Sequence, residues 1–316
     1  MTNNTQVAVT SRSFSRNPVL RAELLECYPN VRFNDEGRTL SGDDLVEYCR
    51  GSSKIIMALE RIDDRFLSAL PELQVISKYG VGTDMLDTDA MVKHEISLGW
   101  KGGVNKRSVS ELVIAFSIVL LRHVAPATAE LSTGNWQNRV GKCITGRTFG
   151  IVGCGHIGKD LARILRAFDC QVLANDILDF PDFYTENGVK PVQLEELLQK
   201  ADIVTLHIPL DLSTTNLLSR DRLAIMKSES VLINAARGGI VDEQALKSML
   251  QTNRLAGAAF DVFAMEPPED IELLRLPNFL ATPHIGGSTE EAILAMGRAA
   301  IEGLDENEIP SSNYPD

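Results

Sequence analysis

Cysteine is scarce and scattered. Cys27, Cys49, Cys143, Cys154 and Cys170 form an odd set with no CxxC pair, which excludes a disulfide framework and a zinc knuckle. Long apolar runs are missing too. The longest uncharged one, Leu112–Leu121, is about half of the ~20 residues that a bilayer-spanning helix needs, so a membrane is not an expected partner. Positive charge is in deficit: 31 Lys and Arg face 43 Asp and Glu, a formal net charge of -12. Such a chain repels a phosphate backbone, and nucleic acid is not an expected partner either. The opening MTNNTQVAVTSRSF has no basic stretch followed by an apolar one. No secretory signal is therefore expected, and a reducing cytoplasm is the expected location. No sequence period repeats, which removes solenoids and propellers. His94, His123 and His156 lack metal-ligand spacing and read as surface or helix residues, so no metal is expected.

What is present is ordinary for globular proteins: 316 residues, 44% apolar and 23% charged, a length that suits two domains. Over the first hundred residues, short Val- and Ile-rich runs (Gln6–Thr10, Val31–Phe33, Lys54–Leu59, Gln74–Lys78, Glu95–Leu98) alternate with amphipathic segments. That rhythm predicts parallel strands covered by helices. Lys106–Val124 carries a long helical pattern that Pro126 is expected to end, with a second helix near Ala127–Thr133. From Thr148 the alternation resumes through strands at 148–153, 171–175, 202–208, 230–235, 255–260 and 279–282. The chain reads as two α/β units in tandem.

The strongest local signal is Thr148–Ala162, which reads as strand, then Gly153-Cys-Gly155-His156-Ile157-Gly158, then helix. In this GxGxxG arrangement the first glycine makes the tight turn, the second lets backbone approach a pyrophosphate, and the third lets helix pack on strand. The pyrophosphate would sit on the helix N-terminus, where unpaired N–H groups and the positive dipole end collect anions. The next strand ends in Asp176, twenty-one residues beyond Gly155, where a carboxylate can accept bonds from a ribose diol. The same carboxylate would repel a 2′-phosphate, so NAD is expected rather than NADP.

Three further strand ends carry polar residues. One, through Ala235, runs into Ala236-Arg237-Gly238, the next into Asp261 and Glu266, the last into Thr282-Pro-His284. Ligands of open parallel sheets bind at the carboxyl ends of strands, so all three would face one crevice. A guanidinium suits bidentate binding of a carboxylate. An imidazole close to a carboxylate suits proton donation near neutral pH. Taken singly, each has a second reading: Arg237 in a surface ion pair, Glu266 in a solvated turn, His284 as a capping residue. Spacing alone does not bring Glu266 and His284 together.

Together these stretches resemble the D-isomer-specific 2-hydroxyacid dehydrogenase family, in particular its phosphoglycerate-dehydrogenase-like members. The matching segments are SKYGVGTDMLD at 77–87, SVSEL at 108–112, the glycine loop, LHIPL at 206–210, LINAARGGIVDE at 232–243, FDVF at 260–263 and TPHIGG at 282–287. The resemblance implies an NAD-dependent oxidoreductase of the D-2-hydroxy acid/2-oxo acid pair. It implies a Rossmann-type doubly wound parallel sheet over residues 101–283. Around it would lie a discontinuous, flavodoxin-like α/β substrate domain of residues 1–100 and 284–316, with the active site in the cleft. His284 would be the proton donor and acceptor, Glu266 its partner, and Arg237 the group that binds the substrate carboxylate and polarises the ketone. Backbone at Gly80, Val81 and Gly82 would also hold that carboxylate. Asp261 would hold the nicotinamide amide, while His207, Pro209, Ala235 and Ala236 line the cofactor. A homodimer is implied as well, and the small partner is an anionic 2-oxo or 2-hydroxy acid. A second reading with the same fold is an NAD(H)-sensing interaction protein of the corepressor type. The pattern departs at Trp100–Arg107, where family members carry a Thr-Pro-Gly-like turn. It departs again at Met57–Arg61, where phosphoglycerate enzymes carry an Arg-Ser pair. Phosphoglycerate itself is thereby disfavoured within the substrate class.

Overall fold

Strands buried on both faces read as unbroken apolar runs, and Val7-Ala8-Val9 and Gly257-Ala258-Ala259-Phe260, buried throughout, are of that kind. The computed structural model describes residues 5–311. By chain contacts it divides into two units, one holding the residues up to Asn105 and from Glu290 onward, the other Lys106–Thr289.

In the first unit the order is β1 (Val7–Val9), α1 (Arg12–Arg16), α2 (Pro18–Cys27), β2 (Val31–Phe33), α3 (Gly42–Cys49), β3 (Lys54–Met57), α4 (Asp64–Ser68), β4 (Val75–Lys78), α5 (Thr88–Lys93) and β5 (Ser97–Gly99). All neighbours pair in parallel, in the order β2-β1-β3-β4-β5, a doubly wound arrangement of flavodoxin type. The short helix α1 was not foreseen. Ser11 caps it by accepting the Phe14 N–H, and Asn17 both ends it and caps α2; such local side-chain bonds leave no periodicity to read.

The second unit contains α6 (Lys106–Leu121), α7 (Val124–Ser132), β6 (Thr148–Val152), α8 (His156–Leu165), β7 (Gln171–Asn175), α9 (Pro181–Asn187), β8 (Val189–Pro191), α10 (Leu194–Lys200), β9 (Ile203–Leu206), α11 (Arg220–Ile225), β10 (Val231–Asn234), α12 (Glu243–Gln251), β11 (Gly257–Phe260), α13 (Ile271–Leu274) and β12 (Phe279–Ala281). The last helix, α14 (Glu290–Glu302), returns to the first unit. The seven strands are parallel and ordered β12-β11-β10-β9-β6-β7-β8, which puts the topological switch point between β6 and β9. Phe149, Ile151, Leu161, Ile203 and Ile233 are wholly buried on one side of the sheet, and Leu197, Leu206, Leu232, Leu246 and Phe260 on the other.

One expectation is corrected. Pro126 does not end the long helix. The break is at Arg122–His123, where His123 takes a left-handed φ of 53°, and Pro126 falls in the first turn of α7, where the missing N–H costs nothing. The helix α9 and the strand β8 were not anticipated, because a seven-residue helix and a three-residue edge strand are too short to show a period. No single helix among the described residues is long and apolar enough to cross a membrane.

Candidate active site

The glycine loop follows β6, at the switch point. Gly153 has a φ of +94°, and a Cβ there would lie 2.5 Å from the His207 carbonyl oxygen. A Cβ on Gly158 would lie 2.3 Å from the Gly153 carbonyl oxygen, so α8 packs directly on the loop. Gly155 is different: a Cβ there would meet nothing within 4 Å. The three glycines thus divide into two that the protein itself requires and one that faces open space beside a helix N-terminus. Exposed His156 and half-buried Ile157 begin α8. Asp160, buried in the same helix, is held by a bidentate pair with Arg107 of α6 at 2.8 and 2.9 Å, which ties the two helices together.

Asp176 follows β7, and its carboxylate accepts the N–H of Cys154 in the glycine loop and, at 2.9 Å, its own Leu178 N–H. His207 follows β9. Its Nε2 lies 3.0 Å from Thr205 Oγ1, while its Nδ1 is buried with no partner. Burial pushes this imidazole down to about 3, so it stays neutral at physiological pH. An orphaned buried ring nitrogen, an open glycine and a helix N-terminus at one switch point fit a dinucleotide. Pro209 is exposed, and its carbonyl accepts the Thr214 hydroxyl at 2.8 Å.

Next along the sheet, β10, β11 and β12 end side by side, with Asn234 opposite Phe260 and Phe260 opposite Ala281. The chain beyond β10 carries Ala235, Ala236 and Arg237. Fully buried Asn234 sets this turn: its amide donates to the Arg237 carbonyl at 2.8 Å and accepts the Ala236 N–H at 3.1 Å. Beyond β11, Glu266 accepts the Phe263 N–H through Oε1 at 3.1 Å. Its other oxygen, Oε2, lies 2.9 Å from Nδ1 of His284, beyond β12. Both side chains are about half exposed.

His284 takes a left-handed φ of 54°, which costs a non-glycine residue about 1–3 kcal/mol and persists only where neighbours enforce it. Asp261, 1% exposed, does the enforcing. Its carbonyl accepts the His284 N–H at 2.9 Å. Its carboxylate accepts the N–H groups of Ile285 and Gly286, both at 2.7 Å, and the Thr282 hydroxyl. Asp261, which the resemblance reads as a ligand for the nicotinamide amide, shapes the histidine loop in this structure.

A profile of the D-isomer specific 2-hydroxyacid dehydrogenase NAD binding domain matches residues 114–286. The chain belongs to this family. Among curated relatives, it is 35% identical over 299 residues to D-3-phosphoglycerate dehydrogenase 1 of Saccharomyces cerevisiae, covering 88% of this chain and 63% of that enzyme. It is 34% identical over 255 residues to the hydroxypyruvate reductase of Thermotoga maritima, covering 79% of this chain and 82% of the reductase. The crystal structure of D-lactate dehydrogenase with NAD+ from Lactobacillus jensenii superimposes with a TM-score of 0.78 at 26% identity, covering 94% of this chain and 95% of that one. The chain spans less than two thirds of the first phosphoglycerate dehydrogenases it matches, 64%, 63% and 55% of their lengths.

Within this family domain the fold brings together Glu266 and His284, and places Arg237 at the end of the next strand but one. Gly80, Val81 and Gly82 belong to the other unit, in the turn after β4. There Gly80 has a φ of +134° and the Val81 carbonyl accepts the Trp100 indole N–H at 3.0 Å. Sequence reasoning missed Asn234, Thr205, Asp160 and Glu243. Asn234 and Thr205 had a legible signal, as polar residues inside strands otherwise apolar throughout. The partners of Asp160 and Glu243 come from other elements and left no local trace.

Proposed function

We propose that the chain is an NAD(H)-dependent oxidoreductase that interconverts a 2-oxo acid and its D-2-hydroxy acid. The observation that carries this reading is the 2.9 Å contact between Glu266 and Nδ1 of His284, on the same edge of the sheet as the glycine loop. When bound, the nicotinamide supplies or accepts the hydride. The protein's own work is to manage charge and protons. As hydride reaches the carbonyl carbon, negative charge grows on oxygen. Glu266 engages Nδ1 and fixes the orientation of the ring, which leaves Nε2 to deliver a proton to that oxygen. In the oxidative direction the same nitrogen takes the alcohol proton. Arg237, its turn fixed by Asn234, pairs with the substrate carboxylate and stabilises the developing oxyanion. Asp176 receives the adenosine ribose and selects NAD over a 2′-phosphorylated cofactor.

The test is NADH oxidation against a panel of glyoxylate, hydroxypyruvate, phosphohydroxypyruvate and bulkier 2-oxo acids. The expected result is that the parent chain consumes NADH with at least one. His284→Ala lowers kcat by about 10²–10⁴ and retains NADH binding. Full turnover in that variant would remove His284 from its role. NADH binding with no turnover across the panel would favour a dinucleotide-sensing protein instead.

A homodimer is part of the same reading. Leu131 on α7, and Trp136 and Val140 in the segment that follows, are 53%, 86% and 93% exposed. Beside α7, a cavity of about 490 Å³ is walled by Val119, Leu120, Pro126, Leu276 and Leu280. Large exposed apolar side chains beside a recess of mixed lining, with Arg139, Gln251, Asn253 and Asn278 among its polar residues, support a surface for a partner, and a second copy of the chain is that partner.

A further inference from the structure

The Glu266 turn is fastened from a side that the reaction does not use. Glu243, the first residue of α12, reaches across to the turn after β11 and accepts the Ala264 N–H through Oε1 at 2.9 Å. An acid in the first turn of a helix is ordinarily explained by the helix dipole, which asks only for a solvated carboxylate. Glu243 is half-buried instead. Burial pushes its carboxyl above the ordinary value; the Ala264 N–H acts the other way, and the charge of Asp270 adds a smaller rise. A buried acceptor in that setting is costly unless it is used.

Phe263 anchors one end of the turn against Phe260 and Phe279, but from Ala264 to Glu266 the chain is exposed and core packing does not hold it. A cavity of about 160 Å³ opens beside it, lined by Glu243, Phe263, Ala264, Met265 and Asp270 among others, with Glu269 also on its wall. Asp270 is itself occupied, pairing with Lys247 at 2.8 Å and capping α13. On the opposite side the turn abuts the arginine loop: a Cβ on Gly238 would lie 1.9 Å from the Phe263 carbonyl carbon and oxygen and 2.3 Å from the Ala264 nitrogen. One connection, β10 to α12, therefore supplies Arg237, the surface at Gly238 and the tether at Glu243. Two further contacts start from the same turn: the Phe263 N–H donates to Glu266, and Glu266 in turn meets His284.

We infer that Glu243 is a positioning residue for the Glu266–His284 pair, holding the 263–266 turn through the Ala264 N–H so that Glu266 stays within reach of the imidazole. This rests on the reaction proposed above, but its direct readout does not. A carboxylate-bound imidazole N–H gives a downfield proton resonance, observable in the ¹⁵N-histidine-labelled full-length chain and assigned by its loss in His284→Ala. Glu243→Leu keeps the volume and removes the acceptor, whereas Glu243→Gln keeps an acceptor oxygen. The expected result is that the resonance disappears in Glu243→Leu and persists in Glu243→Gln. With a turned-over 2-oxo acid, kcat falls about 10- to 100-fold in Glu243→Leu, as a displacement near 1 Å produces, while the Kd for NADH stays within twofold and Glu243→Gln recovers most of the loss. Should Glu243→Leu fail to fold, Glu243→Ser is read the same way. A retained resonance in a folded Glu243→Leu or Glu243→Ser, with parent kcat, overturns the inference. If the parent chain reduces no 2-oxo acid, the resonance still decides it, and only the reaction falls.

Discussion

At the residue scale, Gly155 and Gly158 share a residue type and do opposite work. Gly158 is glycine because the protein has no room: its Cβ would sit 2.3 Å from a backbone oxygen that cannot step aside. Gly155 is glycine where the protein leaves room, with nothing within 4 Å. Two variants should therefore separate folding from binding. Gly158→Ala is expected to destabilise the chain by about 1–3 kcal/mol, the usual cost of overpacking, and to weaken NADH with it. Gly155→Ala is expected to unfold within about 0.5 kcal/mol of the parent yet bind NADH at least about tenfold more weakly, because the methyl takes space meant for the pyrophosphate. Urea unfolding and NADH fluorescence titration check both. Equal loss of stability in the two variants would contradict the assignment of the open glycine to ligand. His284 shows a further residue-scale effect: its left-handed backbone exists because Asp261 engages the two N–H groups that follow it.

At the scale of elements, the sheet edge opposite the site is tied by a carboxylate. Asp202, just before β9, accepts the Thr148 N–H at 3.0 Å and pairs with Lys227 at 2.9 Å. Burial alone would raise this carboxyl, but the Thr148 N–H and the Lys227 ammonium outweigh it and hold it below its ordinary value. The sign of the linkage follows. A carboxyl whose pKa is depressed by folding contributes its full stability above the unfolded value, about 3.9, and loses it as pH falls through the folded value. Asp202→Asn keeps an oxygen for Thr148 and loses the charge. The parent should exceed it by about 0.5–1 kcal/mol at pH 7, after allowance for solvent screening, and the gap should close below about pH 4. A gap that widens on acidification would exclude this tie. Helix α7 belongs to the same scale. Its Pro126, which reads in sequence as a terminator, starts a helix instead, because the left-handed turn at His123 had already stopped the previous one.

At the scale of the whole molecule, the proposed dimer is tested at the exposed Trp136 and Val140. Trp136→Asp is expected to shift the mass measured by light scattering from two chains to one, since aromatic anchors carry most of an interface's energy. The domain profile covers the second unit alone, and the parallel order of its seven strands follows the doubly wound pattern that the glycine loop implied. Substrate preference belongs to this scale as well. The Met57–Arg61 segment, where an Arg-Ser pair is missing, lies in the first unit, and the substrate panel reads its effect.

Much of this was legible in the chain itself. Gly153, Gly155, Gly158 and Asp176 are local: a strand, a turn and a helix N-terminus follow one another within a few residues, so spacing encodes their geometry. Arg237, Glu266 and His284 could be placed at strand ends for the same reason, since alternating strands and helices put every carboxyl end on one edge. What spacing could not decide is which of those ends meet. The Glu266–His284 contact, the Asp261 grip on the histidine loop and the reach of Glu243 to Ala264 join residues 18 to 25 positions apart. They depend on strand order and on the depth of each turn, and those are set by side-chain packing across the sheet rather than by the order of residues along the chain.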